Sequence, residues 1–173
     1  KILSTEKEIG ILVNCAGVCY EGPTTFHKLK DKEDLFNNIV NVNCAALVQI
    51  TAAVLEAMNN RNEVRVPFFY NNFQYIFLEN EFIFYLGLII NIGSVSGGLV
   101  TPQLTVYAAS KSFVNLFSRC LFYEYEPNGV LIQHISPAFV RTKMSRMRNW
   151  FMVPTAKTFV QSALCSATRL QVH

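Results

Sequence analysis

Tyr107-Ala108-Ala109-Ser110-Lys111 sets a phenol and an ammonium four residues apart, which on a helix puts both on one face. A phenol with an unperturbed pKa of about 10 is a poor acid–base group at neutral pH, and a neighbouring ammonium favours its ionised form. A Tyr so tuned can give a proton to a carbonyl oxygen as hydride reaches the carbon, and recover it in the reverse reaction. The same spacing is common on helices where Tyr merely packs and Lys is solvated, so the pair gains meaning only in company. Ser94 lies thirteen residues upstream, where the apolar run Leu88-Ile89-Ile90-Asn91-Ile92 ends. Asn14-Cys15-Ala16-Gly17 closes an earlier apolar run, and Ser136-Pro137-Ala138-Phe139-Val140-Arg141-Thr142 follows a third.

The elements that must position these groups follow from hydrophobic spacing. Gly10-Ile11-Leu12-Val13-Asn14 is a short continuous apolar run, which predicts a strand buried on both faces. From Asp31 to about Asn60 apolar residues recur at three and four, which predicts one long helix stopped by Asn59-Asn60 and carrying Asn43. A second strand spans Leu88 to Ser94, and a second long helix runs from Tyr107 to about Tyr125, closed by Pro127-Asn128-Gly129. Val130 to Ile135 is a third strand, and a last helix is expected from Thr155 to about Ala167. Strands alternating with long helices read as β-α-β units of a parallel sheet, an α/β fold with helices on both faces. Such sheets bind ligands at the carboxyl ends of their strands. Asn14, Ser94 and Pro137 all fall there.

Composition narrows the class. The chain has 173 residues, 51% hydrophobic and only 16% charged, which excludes a disordered segment and implies a substantial core. A net charge of +3 is too weak a bias to indicate a nucleic-acid partner. Five scattered cysteines, odd in number, read as reduced, buried thiols rather than a disulfide scaffold. No His, Cys or carboxylate spacing resembles a metal site, so His27 and His134 read as surface or core residues. No apolar stretch is long and uncharged enough to predict a membrane anchor, because Glu79 and Glu81 interrupt the most apolar one.

Taken together, the ordered set resembles the short-chain dehydrogenase/reductase family from about Gly10 to Thr142. An Asn-x-Ala-Gly turn, a helical Asn, a Ser thirteen before Tyr-x-x-x-Lys, and a Pro-x-x-x-x-Thr segment stand in that family's order. Finer matches, among them Pro102-Gln103-Leu104, Ser118-Arg119-Cys120-Leu121 and Phe139-Val140-Arg141-Thr142-Lys143-Met144, are similar to its very-long-chain 3-oxoacyl-CoA reductase and 17-beta-hydroxysteroid dehydrogenase branch. The resemblance implies a Rossmann-like, doubly wound parallel sheet and reduction of a ketone on a lipid, a 3-oxoacyl-CoA or a 17-ketosteroid, by NADPH. It implies that Tyr107 donates the proton, Lys111 lowers its pKa and holds the nicotinamide ribose, Ser94 binds the substrate carbonyl and Asn43 holds a water in the proton relay. Asn14, Ala16 and Gly17 would line the adenosine side of the cofactor, and Pro137, Val140 and Thr142 the nicotinamide amide. It also implies membrane association at the endoplasmic reticulum, with a cytoplasmic location as the alternative, and allows a homodimer. The competing reading is a catalytically inactive dehydrogenase-like interaction protein or a non-functional fragment.

Several features depart from the family. Cys15 replaces the second Asn of the turn, Gly93 stands where many relatives have Ser, and Ala138 replaces a Gly. The Gly-rich pyrophosphate turn and the first strands are missing, so 1–173 reads as a partial domain truncated at its N-terminus, with the first strand left as a sheet edge. Residues 64–86 are rich in Phe, Tyr, Asn and Ile, in a place where the family uses a short loop. A translated in-frame intron accounts for that bias, and an aromatic membrane- or partner-contacting insertion is the other explanation. The basic residues Arg141, Lys143, Arg146 and Arg148 suit either phosphates of a cofactor or a solvated loop.

Overall fold

The computed structural model describes residues 9–60, 66–67, 84–85, 87–142, 145 and 153–167. Strand β1 (Ile11–Asn14) leads through a loop into helix α1 (Lys32–Val40), a π-helical turn (Asn41–Ala45) and helix α2 (Ala46–Asn59). Two short antiparallel strands follow, β2 (Val66–Pro67) and β3 (Phe84–Tyr85), then β4 (Gly87–Ile92), a 3-10 turn (Val95–Gly97), helix α3 (Thr105–Tyr125), β5 (Val130–Ile135) and helix α4 (Ala156–Ala167). Strands β1, β4 and β5 form a parallel sheet in the order β1-β4-β5. Leu12 pairs with Ile89, and Ile89 with Ile132, so the strand tips come level at one end.

Alternation along the strands decides what packs where. Ile89, Val130 and Ile132 meet Val54, Leu55 and Met58 of α2, with Leu121, Phe122 and Tyr125 of α3 against them. Helices α2 and α3 therefore share one sheet face. On the opposite side Leu88, Ile90 and Leu131 form a smaller cluster. The chain from α1 to α2 is long and apolar enough to cross a bilayer. It nonetheless buries Ile39, Leu47, Val54, Leu55 and Met58 within the fold, and core helices meet the same length and composition test.

Three expectations need correction. β1 is not buried on both faces: Ile11 and Val13 are half exposed, because among the described residues it pairs with β4 alone. The long helix is interrupted by the π turn, whose wider winding rotates Asn43 inward, where it is 1% exposed. Not all thiols are buried: Cys15 and Cys120 are exposed, although Cys15, Cys19, Cys44 and Cys120 are all free as expected. Gly129 closes the turn after α3 with φ 81°, a left-handed conformation that suits Gly. Most of 64–86, together with Lys143, Arg146 and Arg148, lies outside the described residues.

Candidate active site

Ser94, two residues beyond β4, is in extended backbone and caps the turn that follows, its hydroxyl accepting from Ser96 N–H at 3.2 Å. Its hydroxyl also acts on the Tyr107 phenol, favouring the ionised form. Tyr107 and Lys111 sit one turn apart in α3, with the Lys111 Nζ 5.9 Å from the centre of the phenol ring. Lys111 is only 6% exposed, and its ammonium donates to the Ile92 carbonyl at 3.0 Å. Gly17 leaves room for it: a Cβ there would stand 3.3 Å from Nζ.

These groups open onto one cavity of about 610 Å³, a size typical of small-molecule sites. Pro137, Val140 and Thr142 border it from the loop after β5, while Phe159, Val160 and Leu164 of α4 form an apolar wall. The wall is pinned by a main-chain bridge and a side-chain cap. Arg141 bridges to Thr155, and Thr155 caps α4 by accepting from Thr158 N–H at 3.1 Å.

Burial governs the titration of the site. It pushes the Tyr107 phenol above its usual 10, with the Ser94 hydrogen bond pulling the other way and the charge of Cys19 adding to the rise. The Lys111 ammonium is pushed below its usual 10.5 by the same burial. Desolvation is the largest influence on the phenol, and the Lys111 ammonium is tied to the Ile92 carbonyl. Tyr107 is thus a protonated donor at neutral pH.

Asn43, Asn14 and Ala16 take other places. Asn43 donates to the Val18 carbonyl at 3.0 Å and to Ser110 Oγ at 2.9 Å, and accepts from Val18 N–H at 2.8 Å. Both its amide hydrogens are spent on clamping the loop after β1 to α3. Asn14 points away from the cavity, donating to Thr51 Oγ1 at 3.0 Å and Asn91 Oδ1 at 2.8 Å. Asn91 in turn donates to Ser118 Oγ at 2.9 Å. Ala16 is exposed and does not line the cavity, whereas Gly17 does. Sequence reasoning missed this network and the thiols of Cys15 and Cys19 on the cavity wall. An Asn inside Leu88-Ile89-Ile90-Asn91-Ile92 was the available signal, since a polar group in a buried strand must find partners.

The family model for short chain dehydrogenases matches residues 1–66 and 84–151. The chain belongs to that family. Among curated proteins it is 36% identical over 158 residues to the very-long-chain 3-oxoacyl-CoA reductase of Rattus norvegicus, covering 91% of this chain and 43% of that one. It is likewise 36% identical to the Homo sapiens reductase of the same name, with the same coverage. The chain thus spans less than half the length of the curated relatives it matches. Among solved structures, a short-chain dehydrogenase from Sphingobium yanoikuyae in complex with NADPH aligns with TM-score 0.73 at 25% identity, over 98% of this chain and 58% of that one. A bulky-bulky ketone specific alcohol dehydrogenase from Comamonas testosteroni aligns with TM-score 0.66 at 27% identity, over 91% and 51%.

Proposed function

We propose that this chain carries the catalytic part of an NADPH-dependent reductase acting on the ketone of a lipid, with long 3-oxoacyl-CoA as substrate. The observation that carries the reading is the convergence of Ser94, Tyr107 and Lys111 on one cavity with an apolar wall. The residues present suit the nicotinamide end of a dinucleotide: Gly17 leaves the space that Lys111 occupies, and the ammonium faces the cavity. A nicotinamide cofactor, when bound, supplies the hydride.

The protein's own part is proton delivery and charge stabilisation. Ser94 donates a hydrogen bond to the substrate oxygen as charge develops there, and Tyr107 transfers its proton to that oxygen. The phenol holds its proton at neutral pH, so the proton is in place before hydride arrives. Lys111 serves the cofactor's ribose, Pro137, Val140 and Thr142 border its amide, and Asn43 holds the β1 loop against α3. Asn14 and Ala16 would shape the adenosine side only through the backbone of their turn. The apolar α4 wall accommodates an acyl chain.

NADPH oxidation with a long 3-oxoacyl-CoA tests the reading, with a 17-ketosteroid as the second arm. Tyr107→Phe keeps the packed ring and removes the donor, so turnover should fall about 10²–10⁴-fold. Reduction at an unchanged rate would refute the mechanism. No reduction of either ketone would favour the inactive interaction protein.

A further inference from the structure

Exposed apolar side chains gather round the mouth of the cavity. Phe139, Val160 and Leu164 line it yet remain half or more exposed, and beside them Leu99 and Val100 are 67% and 97% exposed. Single exposed hydrophobics are ordinary, whereas a gathered set marks a contact surface. The segments that bear them are tied together. Val95 N–H donates to the Pro137 carbonyl at 3.0 Å, and Leu99 N–H to the Val95 carbonyl at 3.1 Å. Ser96 borders both the cavity and the neighbouring hollow that Leu99 and Val100 line. Helix α4 completes the rim. Ala156, Phe159, Val160, Ala163 and Leu164 recur at three and four and all face the cavity, while Lys157, Thr158, Gln161 and Ser162 are exposed. Among the described elements α4 makes no more than marginal contact with another helix or strand, so its apolar stripe is left to be covered by something else.

Charge says what covers it. All twelve carboxylates of the chain lie at or before Glu126, whereas residues 127–173 carry six of its fifteen Lys and Arg and no acid. Arg141 of that set bridges to Thr155 beside the start of α4, and Lys157 is exposed in the first turn of the helix. A helix dipole disfavours a cation in its first turn, so helix stability does not account for Lys157 there. The acid on the cavity lining, Glu21, belongs to the loop after β1. We propose that the rim docks on an anionic lipid surface, with Leu99, Val100 and α4 entering the headgroup region and Arg141 and Lys157 meeting lipid phosphates. An apolar stripe with basic flanks is the pattern of an interfacial helix. A free acyl-CoA would match the charge but would leave Leu99 and Val100, outside the cavity, uncovered. Docked this way, the cavity opens toward the acyl chains of the layer. Docking does not depend on the reaction proposed above and is measured without turnover.

Sedimentation with sucrose-loaded vesicles tests this. The chain should bind vesicles of phosphatidylcholine mixed with phosphatidylserine, and pure phosphatidylcholine more weakly. Val100→Asp should weaken binding to the mixed vesicles about tenfold, the effect of one apolar side chain no longer leaving water. Lys157→Gln should weaken it about fivefold at low salt. Val100 is almost wholly exposed, so its substitution should leave the melting midpoint in place. Tyr123→Asp removes an exposed aromatic near the far end of α3, away from the rim, and should not alter vesicle binding. Failure to bind, equal binding to the two lipid compositions, or binding that ignores both Val100→Asp and Lys157→Gln would overturn the proposal. Equal losses from Val100→Asp and Tyr123→Asp would do the same. So would a dimer that forms without vesicles and that Val100→Asp dissociates, since a second copy would then be the occupant. Each of these outcomes leaves the ketone assay to judge the reaction separately.

Discussion

Gly97 and Gly98 are neighbours in the turn after Ser94, and adding one methyl to each should have opposite results. A Cβ on Gly97 would come within 2.6 Å of the carbonyl carbon and oxygen of Lys111 and 2.9 Å of Ser112 N. All three are backbone atoms of α3, so no side-chain rotation relieves the clash. Ordinary contact begins near 3.4 Å, and α3 would have to retreat by about 0.8 Å at Lys111. The retreat also strains the 2.7 Å hydrogen bond from Ser112 Oγ to the Gly97 carbonyl. Overpacking of this kind costs about 1–3 kcal/mol, offset by about 0.4–1 kcal/mol because Ala restricts the unfolded chain. A net loss of about 1–2 kcal/mol lowers the unfolding midpoint by about 2–8 °C in a chain of this size. At Gly98 the nearest atom, Val95 O, is 3.9 Å away and φ is −111°, so Ala fits without strain. Gly98→Ala should leave the midpoint unchanged or slightly raised. Calorimetry of both variants decides the matter, and NADPH titration should show weakened binding only for Gly97→Ala, which moves Lys111. Equal midpoints for the two would refute the packing argument.

The buried polar network should be intolerant of deletion. Asn91→Ala strands one Asn14 N–H in the interior and should cost about 1–3 kcal/mol in urea unfolding, whereas truncating the exposed Asn38 should cost almost nothing. Acid should weaken the fold through His134, whose pKa is pushed below the usual 6.5 by burial and then by Lys111. The unfolded chain then takes up the proton first as pH falls, so the contribution is whole above 6.5 and is lost progressively below it. Urea midpoints at about pH 7.5 and about pH 5.5 should differ for the parent and less for His134→Asn; equal differences would exclude His134 as the source.

What the sequence disclosed, and what it concealed, follows from the range of the forces involved. Tyr107 and Lys111 are legible because helical periodicity alone puts them on one face, and Ser94 because a strand tip is marked by the end of an apolar run. Residue type also disclosed the turn at Gly129, where φ is positive. The hidden parts depend on pairing register. Asn14 reaches Asn91 across 77 residues because β1 and β4 align those two positions, and no local pattern states that alignment. The pairing of Asn91 with His134 likewise brings the imidazole alongside Gly93, where a Cβ would come 2.0 Å from Nε2. The departure at Gly93 is therefore a steric consequence of having His at 134, and the ring keeps a buried Nε2 with no hydrogen-bond partner among the described residues. The π turn is concealed for a related reason. Nothing in Asn41-Val42-Asn43-Cys44-Ala45 is a poor helix former in the manner of Pro, and the wider winding is favoured only once Val18 and Ser110 are present to receive the Asn43 side chain. Asn43 thus acts on the site through the geometry of two other elements, holding the turn that carries Cys15, Gly17 and Cys19 against the helix that carries Tyr107 and Lys111.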